Sequence, residues 1–320
     1  MVGYSIRRFL GSIPVIIMVS MLAFLGQQLV PGDPILAIIG EGEFAELATG
    51  GSEALDARRK ELGLDRPAIL QYVSYVERLM QGDFGRSFVS REPVLDMIRV
   101  RLPISMKLNV ITFMINIGMG LSLGTIAALR PGYTDFFATV WAVLGVATPN
   151  FWAAILLILV FSVKLGWLPT SGWVDPFSDP VEGFKHLILP IFALSLFGSA
   201  TIMRQTRSSL LEVLREDYIQ TARAKGLIER RVVIRHALKN AMLPVMTIIG
   251  LSLAGLIGGS VLIERVFAIP GVGRMAIDAA NRRDFPVLQA IVLLGTFAIV
   301  GANLVTDIAY AWLDPRIKYS

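Results

Sequence analysis

Apolar stretches of about twenty residues, separated by short polar connections, constrain this chain more than any other feature. Six of them run from Phe9 to Val30, Pro103 to Leu129, Phe136 to Val163, Leu187 to Met203, Asn240 to Ile263 and Val287 to Trp312. As a helix rising ~1.5 Å per residue, such a stretch reaches about 30 Å, the thickness of a bilayer's hydrocarbon core. Only helices and closed barrels satisfy their backbone groups there, and blocks of this length fit helices. The predicted class is an all-α membrane protein with six transmembrane helices. Composition agrees, since 17% of the residues are charged and 54% hydrophobic, whereas soluble domains carry about 25% charge. The first stretch is too long for a signal-peptide core and lacks a small-residue cleavage site, so it reads as an uncleaved helix.

The net charge of +5 does not point to nucleic acid, because the basic residues follow membrane topology. Alternate connections hold Arg7 and Arg8, Arg130, nine Lys and Arg from Arg204 to Lys239, and Arg316 and Lys318, fourteen in all. The opposite short connections hold six: Lys164, Lys185, Arg265, Arg274, Arg282 and Arg283. The positive-inside rule therefore predicts cytoplasmic N- and C-termini, with residues 1–8 and the loop 204–239 on the same side. The connection 31–102 is too long for that rule and by alternation lies outside. Its turn residues Pro31-Gly32-Asp33-Pro34 and Gly50-Gly51, with helical patterns over Glu53 to Leu62 and Arg66 to Met80, predict a small external helical segment. Residues 103–320 then form a core with five further spans.

Several chemistries are excluded. There is no cysteine, hence no disulfide, Cys zinc site or thiol chemistry. His186 and His236 fall at opposite membrane faces and cannot form a metal pair, so no metal site is expected. No Ser/His/Asp set or paired intramembrane carboxylate marks a catalytic centre. No Gly-rich loop ends in Gly-Lys-Ser or Gly-Lys-Thr, so the chain has no means of cradling ATP phosphates in the usual way.

The loop from Arg204 to Lys239 is the most informative connection. Leu211, Leu214, Tyr218 and Ala222 recur at helical spacing and predict an amphipathic helix, flanked by Arg207, Glu212, Arg215 and Arg223. Gly226 interrupts it, and a second helical stretch pairs Val233 with Ala237 and Ile234 with Leu238. Pro244 is expected in the first turn of the following span. Two helices joined at a glycine are more structure than topology requires, and an exposed apolar stripe in a loop calls for a partner surface.

Polar residues within the spans are Lys107, Asn109, Asn116, Asn150, Asn303 and Asp307. Lys107 is close enough to an end to snorkel. Asp307, about two turns from the cytoplasmic end, is expected to pair with an arginine of a loop. Pro149, between Thr148 and Asn150, breaks the third span and either frees carbonyls to line a cavity or makes a packing kink. Asn116, Thr148, Asn150 and Asn303 are the candidate path residues. Gly255, Gly258, Gly259 and Ser260 are expected to permit close helix approach.

The run Asp217-Tyr-Ile-Gln-Thr-Ala-Arg-Ala-Lys-Gly226-Leu227, followed by His236-Ala-Leu-Lys-Asn-Ala-Met-Leu-Pro244, resembles the coupling loop of ABC importer permeases, most closely the dipeptide and oligopeptide branch. Pro31 to Pro34, Leu62 to Pro67, Gly82 to Ser87, Trp167 to Pro169, Thr206 to Leu214, Glu264 to Phe267, Pro270-Gly271 and Asp314 to Arg316 are similar in order and spacing. Gln220-Thr221-Ala222 stands where Glu-Ala-Ala is usual, a departure that branch tolerates. The resemblance implies a type I ABC importer permease fold in a bacterial inner membrane. It implies that Tyr218, Thr221, Ala222, Arg223, Ala224, Lys225, Gly226 and Leu227 form an elbow that docks on a separate ATPase subunit. The implied partners are a second homologous permease, two ABC ATPase subunits that carry the ATP and Mg, and an external substrate-binding protein, around a chain that itself binds no cofactor. The implied cargo is a di- or oligopeptide, with nickel, glutathione or an oligosaccharide as alternatives. A self-contained ion-coupled transporter is the distant alternative, weakened because Asp307 near an edge is the only intramembrane acid.

Overall fold

The computed structural model describes residues 2–28, 56–57, 60, 65–130 and 132–313. Most of the pattern expected over Glu53 to Leu62, and the motifs at residues 31–34, 50–51 and 314–316, lie outside them. The helices are α1 (Val2–Gln28), α2 (Ala68–Met80), α3 (Val94–Leu129), α4 (Tyr133–Ala147), α5 (Asn150–Lys164), α6 (Pro180–Val213), α7 (Asp217–Ala224), α8 (Glu229–Ala254), α9 (Val261–Val266), α10 (Val272–Asn281) and α11 (Phe285–Leu313). Among the described residues the sole extended pairing outside named strands is one bridge, Arg86 to Pro93. α3, α6, α8 and α11 are long and apolar enough to cross a bilayer, α4 and α5 form a bent pair, and α1 contains the apolar stretch Leu10–Gly26. The all-α membrane class expected from the sequence is the class observed.

The chain divides into two compact units. One comprises Met1–Leu10, Ile104–Arg274 and Ala298–Ser320, and the other Gly11–Pro103 and Met275–Phe297. In the first, α6 is central. Over its most apolar window it is 56% buried, whereas the other long spans reach 22% to 33%, because α4, α5, α8 and α9 all pack on it. Lipid offers no hydrophobic drive for helices to associate, so close backbone approach must supply the cohesion. Glycines provide it: a Cβ at Gly120 would sit 2.6 Å from the Ile202 side chain, one at Gly124 2.6 Å from the Met203 carbonyl, and one at Gly145 2.2 Å from the Leu196 carbonyl. Hydroxyls along these helices turn back on their own carbonyls, Thr112 on Leu108 and Thr206 on Ile202, each at 2.8 Å. That keeps the seams dry and the polar groups satisfied. Trp141 of α4 donates its indole N–H to Ser199 of α6 at 3.1 Å.

Several helix boundaries differ from those expected. The fourth span begins at Pro180 rather than Leu187 and continues to Val213, so the connection expected to start at Arg204 starts ten residues later. Asp179 accounts for the early start: its carboxylate accepts from the Glu182 N–H at 3.2 Å, and Pro180 occupies the first turn. α3 begins at Val94, with Pro103 inside it. Pro244 likewise lies well inside α8, not in a first turn, because helix resumes at Glu229.

The third span is neither a straight helix nor a kinked one. α4 and α5 meet at 106°. Pro149 disfavours helical geometry at the residue before it, and Thr148 is extended at φ −97°, ψ 118°. Pro149 itself is extended and caps α5, so two consecutive non-helical residues turn the chain. The glycine stretch after α8 also departs from expectation. Helix stops at Ala254, and a Cβ on Gly258 would meet nothing within 4 Å, so that residue makes no close helix approach.

In the second unit α2 packs on α1. The hydroxyls of Tyr72 and Ser20 share a hydrogen bond at 2.7 Å, and the Phe24 ring meets Tyr72 and Tyr75 at 5.6 and 5.8 Å. Asp284, nearly buried, accepts from the Ser87 hydroxyl at 2.5 Å and the Phe88 N–H at 3.0 Å.

Gly145→Ala is expected to lower stability by about 1–3 kcal/mol, because a rigid backbone carbonyl blocks the new methyl. Gly118→Ala, with nothing within 4 Å, is expected to be neutral or stabilising by up to about 1 kcal/mol. Thermal unfolding of the two variants in detergent checks the contrast.

Candidate functional site

The expected elbow forms, but from a different arrangement. The stripe of Leu211, Leu214, Tyr218 and Ala222 does not lie on one helix, because the chain turns at Leu214 to Glu216 between α6 and α7. Leu211, Leu214 and Ala222 still join one apolar cluster with Leu210, Ile219 and Val232. Tyr218 faces outward, its hydroxyl accepting from the Asn240 side chain at 2.7 Å. Ile219, fully buried, takes the inward place that the spacing assigned to Tyr218.

α7 closes in a Schellman motif. The Leu227 N–H reaches the Ala222 carbonyl at 3.4 Å and the Gly226 N–H reaches Arg223 at 2.9 Å. Leu227 packs on the cluster containing Ala222, which supplies the motif's apolar contact. The geometry requires the left-handed backbone, and Gly226 has φ +77° with nothing within 4 Å of a would-be Cβ. Glycine is therefore needed here for conformation rather than for space. Arg223 spans the turn, its Nε and Nη2 donating to the two carboxylate oxygens of Glu229 at 3.1 and 2.6 Å. The Thr221 hydroxyl donates to the Asp217 carbonyl at 2.9 Å. Ala224, Lys225, Gly226 and Ile228 are left exposed at the tip.

After the elbow, residues 232–237 are π-helical. The wider turn shifts the register, so Val232, Val233 and Ala237 are all buried while Ile234 is 56% exposed, and the expected Ile234 to Leu238 pair is not on the inner face. Arg207, near the end of α6, grips Asp135 in the first turn of α4 with both Nε and Nη2, the latter at 2.9 Å. Beside it a cleft of about 480 Å³ is lined by Arg207, Leu211, Glu212, Arg215 and Asp217.

The four candidate path residues are not joined by hydrogen bonds. Asn116 is buried against Gly198, where a Cβ would lie 2.2 Å from its Nδ2, and its Oδ1 has no partner among the described residues. Thr148 and Asn150 flank the 106° turn, half-buried, and Asn303 is exposed on α11. Lys107 pairs with Asp175 and lies 5.4 Å from the Phe177 ring centre. Hydrogen bonding from Lys107 holds the Asp175 carboxyl below its usual value. Asp307 pairs with Arg8 through Nε at 3.1 Å and Nη2 at 3.2 Å, so its arginine comes from the N-terminal helix. Among the described residues no group of three or more His, Asp or Glu could hold a metal.

One buried network has no role assigned from sequence, although its motif is visible there. Glu264 is fully buried. Ser260 accepts from Asn109 Nδ2 at 2.7 Å and donates to Glu264 Oε1 at 2.8 Å, while Oε2 accepts the Arg274 N–H at 3.0 Å. Gly271 and Gly273 leave the room: a Cβ on either would stand 2.4 or 2.9 Å from Oε2. Ser105 holds the same loop by accepting the Val272 N–H at 2.8 Å. The legible signal is a lone acid inside Val261-Leu-Ile-Glu-Arg-Val-Phe267 followed by Gly271-Val-Gly273.

Apolar helices tightened by glycine seams, with an elbow at the surface, are the architecture of a multi-pass membrane protein. The chain belongs to the family described as binding-protein-dependent transport system inner membrane component, matched over residues 120–319, with the family's N-terminal part matched over residues 1–109. It is 41% identical over 320 residues, all of both chains, to a protein of Brucella abortus (strain 2308) named as a candidate peptide transport system permease. It is equally 41% identical, end to end, to the glutathione transport system permease protein GsiC of Escherichia coli (strain K12). An inward-facing structure of the MetNI methionine ABC transporter shares the fold with TM-score 0.53 at 16% identity, covering 70% of this chain and 99% of that one. The chain is thus an ABC importer permease subunit with the type I permease fold, a component of a larger transport complex.

Glu264→Ala leaves the Arg274 N–H and the Ser260 hydroxyl without their acceptor and is expected to cost about 1–3 kcal/mol, with Glu264→Gln costing less; denaturation in detergent reads the difference. Arg223 holds the Glu229 carboxyl below its ordinary 4.5, chiefly by hydrogen bonding. Because the folded value is depressed, the pair's contribution is present above the ordinary value and is lost as pH falls through the folded one. Amide exchange over residues 217–229, corrected for intrinsic rate, should accelerate in that acid window and not between pH 6 and about 8.

Proposed function

We propose that this chain is the membrane-spanning permease of an ATP-driven importer, forming the path for peptides handed over by an external binding protein. The observation that carries the proposal is the Gly226 elbow. A turn fixed by a Schellman motif, a bidentate ion pair and a buried base presents Lys225, Gly226 and Ile228 outward. A rigid projection of this kind suits transmission of force from a partner. In this reading residues 204–239 and both termini are cytoplasmic, two ATPase subunits bind and hydrolyse ATP with Mg, and a second homologous permease completes the path. Tyr218, Thr221, Arg223, Ala224, Lys225 and Gly226 form the docking face, with Ala222 and Leu227 packed beneath them, and Asn116, Thr148, Asn150 and Asn303 are the polar groups offered to the path. A peptide cargo is supported by the relatives' names, glutathione being itself a tripeptide. Nickel gains nothing from a chain without cysteine whose two histidines, His186 and His236, stand on different helices.

The test is purification of this chain with its genomic neighbours in detergent. Gly226→Pro imposes φ near −65° where +77° is required and removes the N–H bonded to Arg223. It should release a co-purifying P-loop ATPase and abolish transport-coupled hydrolysis, while Gly226→Asn, which tolerates the left-handed region, retains both. A transport-competent homomer with no ATPase would sink the proposal. Intact transport after Arg223→Glu would refute the role of the elbow's ion pair.

A further inference from the structure

Thirteen residues long, α2 spans only ~20 Å and is too short to cross a bilayer. No residue of it is buried. At about 100° per residue its side chains fall into three sectors. Tyr72 and Tyr75 face α1. Ser74, Glu77 and Arg78 form a sector that is polar except for Leu70, which is 52% exposed. Between them, on the remaining flank, Ile69, Val73 and Met80 make an apolar stripe that is 76%, 53% and 85% exposed.

The position of α2 along α1 decides what covers that stripe. Tyr72 bonds Ser20 and donates to the Ile17 carbonyl at 3.3 Å, and Phe24 stacks on both tyrosines. Ile17, Ser20 and Phe24 all lie within the apolar stretch Leu10–Gly26, so α2 rests beside that stretch of α1 and not beyond its end. The flank of α1 there is itself apolar and exposed at Ile17, Met18, Met21 and Leu22. Both helices thus expose apolar side chains.

We propose that α2 is an interfacial anchor, lying at the lipid–water boundary with Ile69, Val73 and Met80 among the acyl chains and Ser74 and Arg78 toward water. A polar flank beside an apolar one is the feature of a helix that lies in a membrane surface. The inference needs α1 to be a span but does not depend on the transported cargo or on the elbow. It sets the α2 stripe against lipid and not against the external binding protein.

The natural absence of cysteine makes single-cysteine nitroxide labelling clean. Labels at Ile69→Cys, Val73→Cys and Met80→Cys, and at Ser74→Cys and Arg78→Cys on the polar sector, are placed in the assembled transporter in phosphatidylethanolamine/phosphatidylglycerol nanodiscs. Collision rates with oxygen and with a water-soluble nickel chelate are then compared by electron paramagnetic resonance. The three stripe positions should favour oxygen severalfold over the chelate, and the two polar positions the reverse. Chelate access at the stripe would overturn the proposal, as would protection from both reagents, which places protein there. Loss of oxygen access only on adding the binding protein would make the stripe a docking surface and equally overturn it. If Val73→Cys fails to assemble, Met80→Cys, the most exposed, gives the same reading. ATP hydrolysis by the same samples reports separately on the importer reading.

Discussion

Cohesion inside a solvent as apolar as the side chains themselves is the constraint on which this molecule depends. Excluding water cannot drive helices together in lipid, so contact area and shape must do so. The chain meets this at α6, where Gly120 and Gly124 of α3 and Gly145 of α4 present bare backbone to Ile202, Met203 and Leu196. Each seam places one helix closer than any side chain would allow, and the hydroxyls of Thr206 and Ser199 turn inward onto their own helix. α6 is therefore a fixed spine. What extends beyond it, the turn at Leu214 and the elbow at Gly226, inherits a firm base.

Two polar constructions complement that apolar frame at places where the chain must leave helical geometry. At the elbow, a left-handed glycine and an arginine spanning the turn hold an exposed tip. Around Glu264, the loop to Arg274 wraps a buried carboxylate whose oxygens accept from Ser260 and from a backbone N–H. A buried polar group without partners is costly, so the loop is organised by the acid as much as the acid is sheltered by the loop. Asn109 links this arrangement to α3 through Ser260.

The architecture is largely legible in the sequence because bilayer thickness sets a length that apolar blocks display directly. Each of the six apolar stretches lies largely on helix, the third broken at Thr148 and Pro149 and the fifth leaving helix after Ala254, and Gly226 stands at the turn where its spacing puts it. The boundaries are less legible because apolar blocks report lipid contact rather than hydrogen bonding: α6 and α3 extend past their apolar parts, started by the Asp179 cap in one case and continuous through Pro103 in the other. Pro149 reads as a break, but a 106° turn needs Thr148 to be extended as well, and no propensity reveals that. Helical spacing favours Tyr218 over Ile219 because it assumes one continuous helix across residues 214–216. The place of Glu264 depends on Ser260, itself held by the distant Asn109, and on the Arg274 N–H, which a loop sets, so its motif can be seen and its partners cannot.

The grip of Arg207 on Asp135 has a mechanical corollary. Asp135 lies in the first turn of α4, and the fifteen residues of that helix run ~22 Å before the turn at Thr148. A bidentate guanidinium–carboxylate contact resists rotation as well as separation, so a tilt imposed at Arg207 is carried into α4 at its base. By simple leverage a tilt of about 10° there displaces the Pro149 end by about 4 Å over that length. That is comparable to the width of a side chain, and it arrives where α4 ends and α5 turns away.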